Sequence, residues 1–245
     1  MIFLCKNLIW FMIYSFIGWV YESLLRSFTH KRWYNSGFLN GPYIPIYGCG
    51  AILDLFFLGS YTDPLQIFLL AGSINCILEY ATSYIMEKLF HARWWDYSDK
   101  PFNLNGRIYL LGFVAFGAFA TLVILYFHPW LEAHTTARMT VRTLYSLSSL
   151  IVAVIFTDTV ITVSGMRDFR KKYSAFVSAL EEEKIQLKEK VTNLPYSDQI
   201  HRLRESFNFQ ERRLLDAFPN LKFEDARYTA LEIKNMVIEH SRKLF

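Results

Sequence analysis

Apolar side chains run almost unbroken through the first two thirds of the chain and thin to helically spaced stripes in the last third. A helix that crosses a bilayer needs about 20 mostly apolar residues, because the hydrocarbon core is roughly 30 Å thick and each residue rises about 1.5 Å. Residues 3–25, 65–89, 108–127 and 141–163 meet that requirement. Residues 43–58 form a weaker fifth segment, entered through Gly41-Pro42 and Pro45 and carrying Gly48, Gly50 and Asp54. Its neighbours on both sides span, so it is expected as a short or broken membrane helix. The pattern predicts an all-α, polytopic bundle of about five transmembrane helices over residues 1–165, followed by a cytoplasmic, coiled-coil-like helical tail over 166–245.

In the tail, Phe169, Tyr173, Phe176, Leu180, Leu187, Val191 and Leu194 follow a three-and-four spacing that Pro195 ends. Ile200, Leu203, Phe207, Gln210, Leu214 and Phe218 repeat the pattern up to Pro219, and Ala230, Ile233, Val237 and Leu244 continue it. These stripes either fold back on one another as a helical hairpin or pair with a second chain. Glu181-Glu182-Glu183 with Lys184 and Lys188 reads as a solvated face with spaced ion pairs.

Charge sharpens the division. Of 48 charged residues, 19 lie in residues 1–165 and 29 in the last 80. A first part so poor in charge cannot be coated in water-facing side chains, which excludes one uniform soluble domain. The net charge of +4 is too dispersed for nucleic acid, and the lipid bilayer accounts for it. Arg26, Lys31, Arg32, Lys88, Arg93, Lys100, Arg107, Arg167, Arg170, Lys171 and Lys172 fall on one side of the expected spans. Lys6, Arg138 and Arg142 fall on the other. That bias predicts a multi-pass bacterial plasma-membrane protein with its N-terminus outside and its tail in the cytoplasm. Trp10, Trp33, Trp94, Trp95 and Trp130 suit interfacial anchors. Cys5, Cys49 and Cys76 sit in apolar runs and read as inert. The first apolar run has no basic stretch before it and no cleavage site after it, so it is expected to remain as a helix.

Carboxylates inside apolar segments are the sharpest chemical clue, since an ionised group in hydrocarbon costs about 2.5–3.5 kcal/mol on insertion scales. Tyr14, Gly18, Tyr21 and Glu22 share a face of the first helix. Asn75, Glu79, Thr82, Ser83 and Met86 form a stripe on the third, with Glu87 below, and Asp158 with Thr157 and Thr162 marks the last. Glu79 lies nearest mid-helix and is expected to face the bundle interior. Glu22 and Glu87 either join it in a site or pair with Arg26, Lys88, Arg93 or Arg107. Asp54 and Asp63 read as solvated. Glu87 and His91 share a helix face, with Asp96 and Asp99 near, but too few His or Cys accompany them for a metal site. Two loops stand out: residues 37–48, bent by glycines and prolines, and residues 93–107, which carry Trp94, Trp95, Asp96, Asn103, Asn105 and Arg107. Such parts build a polar pocket or headgroup clamp, or an interfacial loop that seals the bundle.

Taken in order, Gly18-Trp19 with Glu22, Gly37-Phe38-Leu39 with Gly41-Pro42 and Pro45-Ile46-Tyr47-Gly48, Glu79 with Thr82, Glu87-Lys88, Arg93-Trp94-Trp95-Asp96-Tyr97-Ser98, Pro101-Phe102-Asn103 and Gly106-Arg107 resemble the bacterial membrane family called putative ABC-transporter type IV, CmpB-like. The resemblance covers about residues 5–165 and implies a transport role without naming a solute. The chain has no P-loop sequence, so an ABC system would need a separate ATPase subunit. No G-x-S-x-G, H-E-x-x-H or C-x-x-C occurs, and no cofactor is expected.

The leading expectation is a permease-like homodimer that binds a small polar or amphipathic solute through Glu22, Asn75, Glu79, Glu87, Trp94, Trp95, Asp96, Asn103, Asn105 and Arg107. A membrane-embedded enzyme acting on a lipid or isoprenoid headgroup is the alternative, with Glu22, Glu87 or Asp96 as acid or base and Arg107 holding an anion. A non-catalytic scaffold or sensor whose tail recruits a partner is the third.

Overall fold

The computed structural model describes residues 1–31, 33–188, 205–224 and 226–235, with the side chains of 30 and 183–188 left out. Among the described residues, four helical stretches are long and apolar enough to cross a membrane: Ile2–Thr29, Pro64–Phe90, Leu110–Arg138 and Val141–Glu182. The α-helices with described bounds are α1 (Ile2–His30), α2 (Pro45–Leu58), α3 (Pro64–Phe90), α4 (Leu110–Leu122), α5 (His128–His134), α6 (Val141–Lys188) and α7 (Phe209–Ala217), and residues 230–235 are helical too. The fifth expected span is α2, only 14 residues long. Short strands β1 (Ala92–Arg93), β2 (Asn103–Leu104), β3 (Ile108–Tyr109) and β4 (Lys222–Phe223) form two antiparallel pairs, β1 with β4 and β2 with β3.

The chain divides into two compact units, residues 1–84 with 96–160, and residues 85–95 with 161–245. α6 is continuous through the boundary expected at 165/166, because no proline or glycine pair interrupts its stripe there.

In the first unit the shortness of α2 has a geometric cause. After α1 the chain doubles back along it in non-helical conformation. Tyr34 N–H donates to Ser27 Oγ at 3.0 Å, Ser36 N–H to Ser23 Oγ at 3.2 Å, and Ile44 N–H to the Ser15 carbonyl at 2.9 Å. Contacts that step from Ser27 to Ser15 retrace about 18 Å of helix, and the 14 residues of α2 add about 21 Å. Together they run about as far as a spanning helix does, half as extended chain and half as helix. Pro45 starts the helical half at a position where its missing N–H costs nothing, and Ile44 before it is extended as a pre-proline residue must be. α2 then lies against the first half of α1, where Ala51, Ile52 and Leu55 pack on Trp10 and Tyr14. Gly48 permits that approach: a Cβ there would stand 2.3 Å from Ser15 Oγ and 2.5 Å from the Phe11 carbonyl oxygen.

Non-helical backbone in the middle of an apolar bundle needs internal partners. Besides the α1 acceptors, Asp158 of α6 supplies those for the turn at Asn40 and Gly41. Its Oδ1 accepts from Asn40 N–H at 3.1 Å and Asn40 Nδ2 at 2.9 Å, and its Oδ2 from Gly41 N–H at 2.8 Å and Tyr43 OH at 2.7 Å. The rest of this unit closes by apolar packing. Leu58, Ile67, Ala71, Ala120 and Ile124 join α2, α3, α4 and the turn that follows α4, and Cys5, Ile9, Leu144 and Ile151 join α1 to α6. A π-helical turn, Val123–Phe127, precedes His128-Pro129, where the proline removes a backbone donor and crowds the turn before it. Asp63 lies in a loop and is exposed, as expected, and its Oδ1 caps α3 by accepting from Leu65 and Gln66 N–H.

The second unit is built on the C-terminal half of α6. Phe169, Tyr173, Phe176, Val177 and Leu180 are buried together with Phe207, Leu214, Leu221 and Phe223. Phe207 meets the rings of Phe176 at 5.7 Å and Phe169 at 6.2 Å, so this part of the tail seam closes within one chain. Tyr173 OH donates to the carbonyls of Tyr228 at 2.7 Å and Leu221 at 3.1 Å. α7 begins with a reciprocal capping box between Asn208 and Glu211, and Lys172 Nζ lies 2.9–3.0 Å from both oxygens of the nearly buried Glu211. The helical stripe expected from Ile200 is interrupted at Phe207 and Asn208, because Asn208 adopts the extended conformation of a helix cap. Val191, Leu194, Pro195, Ile200, Leu203, Val237 and Leu244 lie outside the described residues, as do the side chains of Glu183, Lys184, Leu187 and Lys188.

Asp158→Asn should turn an amide N–H2 toward Gly41 N–H, leaving a donor unsatisfied at about 1–3 kcal/mol. The thermal unfolding midpoint in detergent should fall, whereas an unchanged midpoint would mean that other contacts hold the loop. In the second unit, hydrogen bonds from the Thr229 backbone N–H and hydroxyl hold the Glu232 carboxyl below its ordinary value of 4.5. A lowered folded-state value gives stability that is present above the unfolded value and lost as pH falls through the folded one. Acidification below about pH 4.5 should therefore loosen residues 229–235 toward proteolysis, and Glu232→Gln should remove part of that acid dependence. Identical acid profiles would assign no such role to the carboxylate.

Candidate functional site

The extended return of the chain along α1 sets Tyr47, in the first turn of α2, against α1, where its hydroxyl donates to Glu22 Oε1 at 2.9 Å. From α3, Glu79 Oε1 accepts from Tyr97 OH at 3.3 Å, while its Oε2 is buried with no hydrogen-bond partner among the described residues. Glu79 therefore points inward and has a polar partner, as its stripe predicts. Tyr97 belongs to a loop folded on itself. Its N–H donates to the Gly106 carbonyl at 2.8 Å, and its ring lies 4.6 Å from that of Tyr109 in β3. Burial holds the Tyr97 phenol above its ordinary value, and the charge of Glu79 adds to the shift, followed by Tyr109 and Glu22. The hydroxyl thus stays a donor at neutral pH with two carboxylates acting on it. Glu22, Tyr47, Glu79 and Tyr97 make one polar cluster between α1, α2, α3 and the loop before β2.

Two further stripe positions on α3 have different partners. Asn75 Nδ2 donates to Asp54 Oδ2 at 2.7 Å and to the Ala71 carbonyl at 3.0 Å. Asp54, expected to be solvated, is only 4% exposed: α2 turns it toward α3. Ser83 Oγ accepts from Arg107 Nη1 at 2.9 Å. Arg107 is itself buried, with its guanidinium 5.6 Å from the Tyr80 ring centroid and 5.5 Å from that of Tyr84. Asn105 Nδ2 donates to Tyr80 OH at 2.9 Å beside it.

Other expected site residues have contacts that shape their own loops. Asp96 Oδ1 accepts from Ser98 N–H at 2.9 Å and Ser98 Oγ at 2.5 Å. Asn103 accepts from Gly106 N–H at 2.9 Å and donates to the Lys100 carbonyl at 2.8 Å, closing the turn before β3. Glu87, Trp94 and Trp95 belong to the second unit. Glu87 lies 3.9 Å from Arg93, Trp94 is buried between Phe90 and Phe218, and Trp95 is half-buried. His91, its candidate metal companion, lies 3.0 Å from Glu224 instead. Glu22 and Glu87, both expected as site residues, belong to different units. Sequence reasoning missed Tyr47 and Tyr97 as site members, although both stand inside the motif loops and carry the hydroxyls that an apolar bundle must satisfy.

Four long apolar helices with carboxylates turned inward between them define a polytopic α-helical membrane protein. The chain belongs to the family described as "Putative ABC-transporter type IV", whose model matches residues 9–163. No curated protein and no solved structure matches it.

Proposed function

We propose that this protein is a permease-like transport component that binds a small polar or amphipathic solute at the Glu22, Tyr47, Glu79 and Tyr97 cluster. The observation that carries this reading is the half-helix α2, which begins near the middle of α1 and brings Tyr47 to Glu22. Discontinuous helices that expose backbone and polar side chains in mid-bundle are the building element of transporter sites. The family description supports the same class. Arg107, Ser83 and Asn105 form the neighbouring polar group that would receive an anionic portion of the solute.

The enzyme reading has less support, because Glu87 and Asp96, two of its acid-base candidates, are engaged with Arg93 and Ser98. In the proposed arrangement the protein lies in the bacterial plasma membrane with its N-terminus outside and its tail in the cytoplasm. A separate ATPase subunit powers it, and two copies associate through their membrane parts to enclose the path.

The test is uptake of a labelled solute panel into proteoliposomes, with its ATPase partner co-reconstituted once identified. Glu79→Gln and Glu22→Gln each keep the side-chain shape and should lower uptake by about tenfold or more, which corresponds to about 1.4 kcal/mol. Uptake unaffected by both substitutions would reduce the two carboxylates to packing roles. Cross-linking of the full chain in liposomes should give a dimer, and a monomer at every protein-to-lipid ratio would overturn the two-copy arrangement.

A further inference from the structure

Asp54 lies apart from the cluster just described. It sits on α2 one turn beyond Gly50, with 4% of its surface exposed, and Oδ2 accepts from Asn75 while Oδ1 is buried with no hydrogen-bond partner among the described residues. The approach of Asn75 is built in, because a Cβ on Gly50 would come within 2.3 Å of Asn75 Oδ1. A carboxylate in such a place must meet a cation, bind a proton or face water.

Among the described residues no ionisable group of the surrounding elements is paired with it, Arg26 of α1 and Lys88 of α3 included. On α1, Lys6 is paired with Glu132 of α5 at 3.1 Å, Tyr14 OH lies 3.0 Å from His128 Nδ1, and Glu22 is bonded to Tyr47. On α3, Glu79 is an acid bonded to Tyr97. Tyr126 in the π-helical turn is exposed on the outer surface. On α2 itself the titratable groups are Tyr47, engaged with Glu22, and the exposed, free Cys49. A metal cation would need several oxygen ligands, typically six or more for the hard divalent ions. Asn75 instead presents N–H2 to the carboxyl, and the elements around it contribute Leu58, Ile67 and Ala71.

We propose that Asp54 is a proton-binding site, held as a neutral carboxylic acid against Asn75, and that this proton is the coupling ion of the transport cycle. The second half of the proposal rests on the transport reading above; the first stands without it. A neutral acid suits the geometry: Oδ2 accepts from the amide, and the proton resides on the otherwise unpartnered Oδ1. Because Asp54 is on the half-helix whose entry the Asp158 contacts fix, movement of α2 would expose the acid to water and release the proton.

Infrared spectroscopy of the full-length protein in liposomes reads the first half without any solute. A carbonyl band of a protonated carboxylic acid should be present at neutral pH, shift in heavy water, and be lost in Asp54→Asn while persisting in Glu22→Gln and Glu79→Gln. Asp54→Glu retains the acid and should keep a displaced band, which preserves the test if Asp54→Asn does not fold. A wild-type spectrum without such a band, or one that neither substitution alters, would overturn the proton site. Loss of the band when sodium replaces choline at constant pH would do so in favour of a metal cation. For the second half, once uptake is established, an imposed pH gradient should accelerate it in the wild type and not in Asp54→Asn. An equal response in both would overturn coupling while leaving the transport reading intact, and absence of uptake by the wild type counts against the transport reading alone.

Discussion

Backbone that is neither helix nor sheet cannot stand in an apolar bundle unless each N–H finds an acceptor, and the Asp158 carboxylate meets that demand for the turn at Asn40 and Gly41. Two backbone donors, an amide and a phenol converge on its two oxygens. Serines 15, 23 and 27 of α1 accept from the remainder of the returning chain through a carbonyl and two hydroxyls. With the turn fixed, α2 has a defined starting point, and its register against α1 and α3 follows. That register brings Tyr47 to Glu22 and Asp54 to Asn75.

The carboxylates of the first unit consequently do different kinds of work. Asp63 and Asp96 organise the chain next to them, capping α3 and tightening a turn. Asp158 holds a distant segment. Glu79 and Asp54 each retain one buried oxygen that no described group satisfies. Buried polar atoms are costly to leave unpaired, so their persistence marks places where a ligand, a proton or a change of conformation completes the bonding.

The second unit is compact and has an apolar centre of its own. Its aromatic centre, Phe169, Tyr173, Phe207 and Phe223, is assembled from the end of a long helix and a compact tail, and the β1–β4 pair ties the chain after α3 to the same centre. Lys172 reaches the nearly buried Glu211, so the capping box of α7 also anchors that helix to α6.

Hydropathy alone fixed the long helices, because an apolar run of sufficient length has one stable arrangement in a bilayer, and the prolines and glycines of residues 37–48 already marked the bent, non-helical entry to α2. The ordered loop motifs carried the family, and the α3 stripe carried the inward direction of Glu79. Pairings between segments far apart in sequence were decided only by tertiary structure. That Asp158 serves Asn40, that Asp54 turns to Asn75 and leaves water, and that Glu87 and Trp94 go to the tail's unit depend on which helix faces which. Helical periodicity assigns a residue to a face of its own helix; it says nothing about the partner across the gap, because hydrophobic burial is non-directional and hydrogen bonds select among packings only once the helices are in contact.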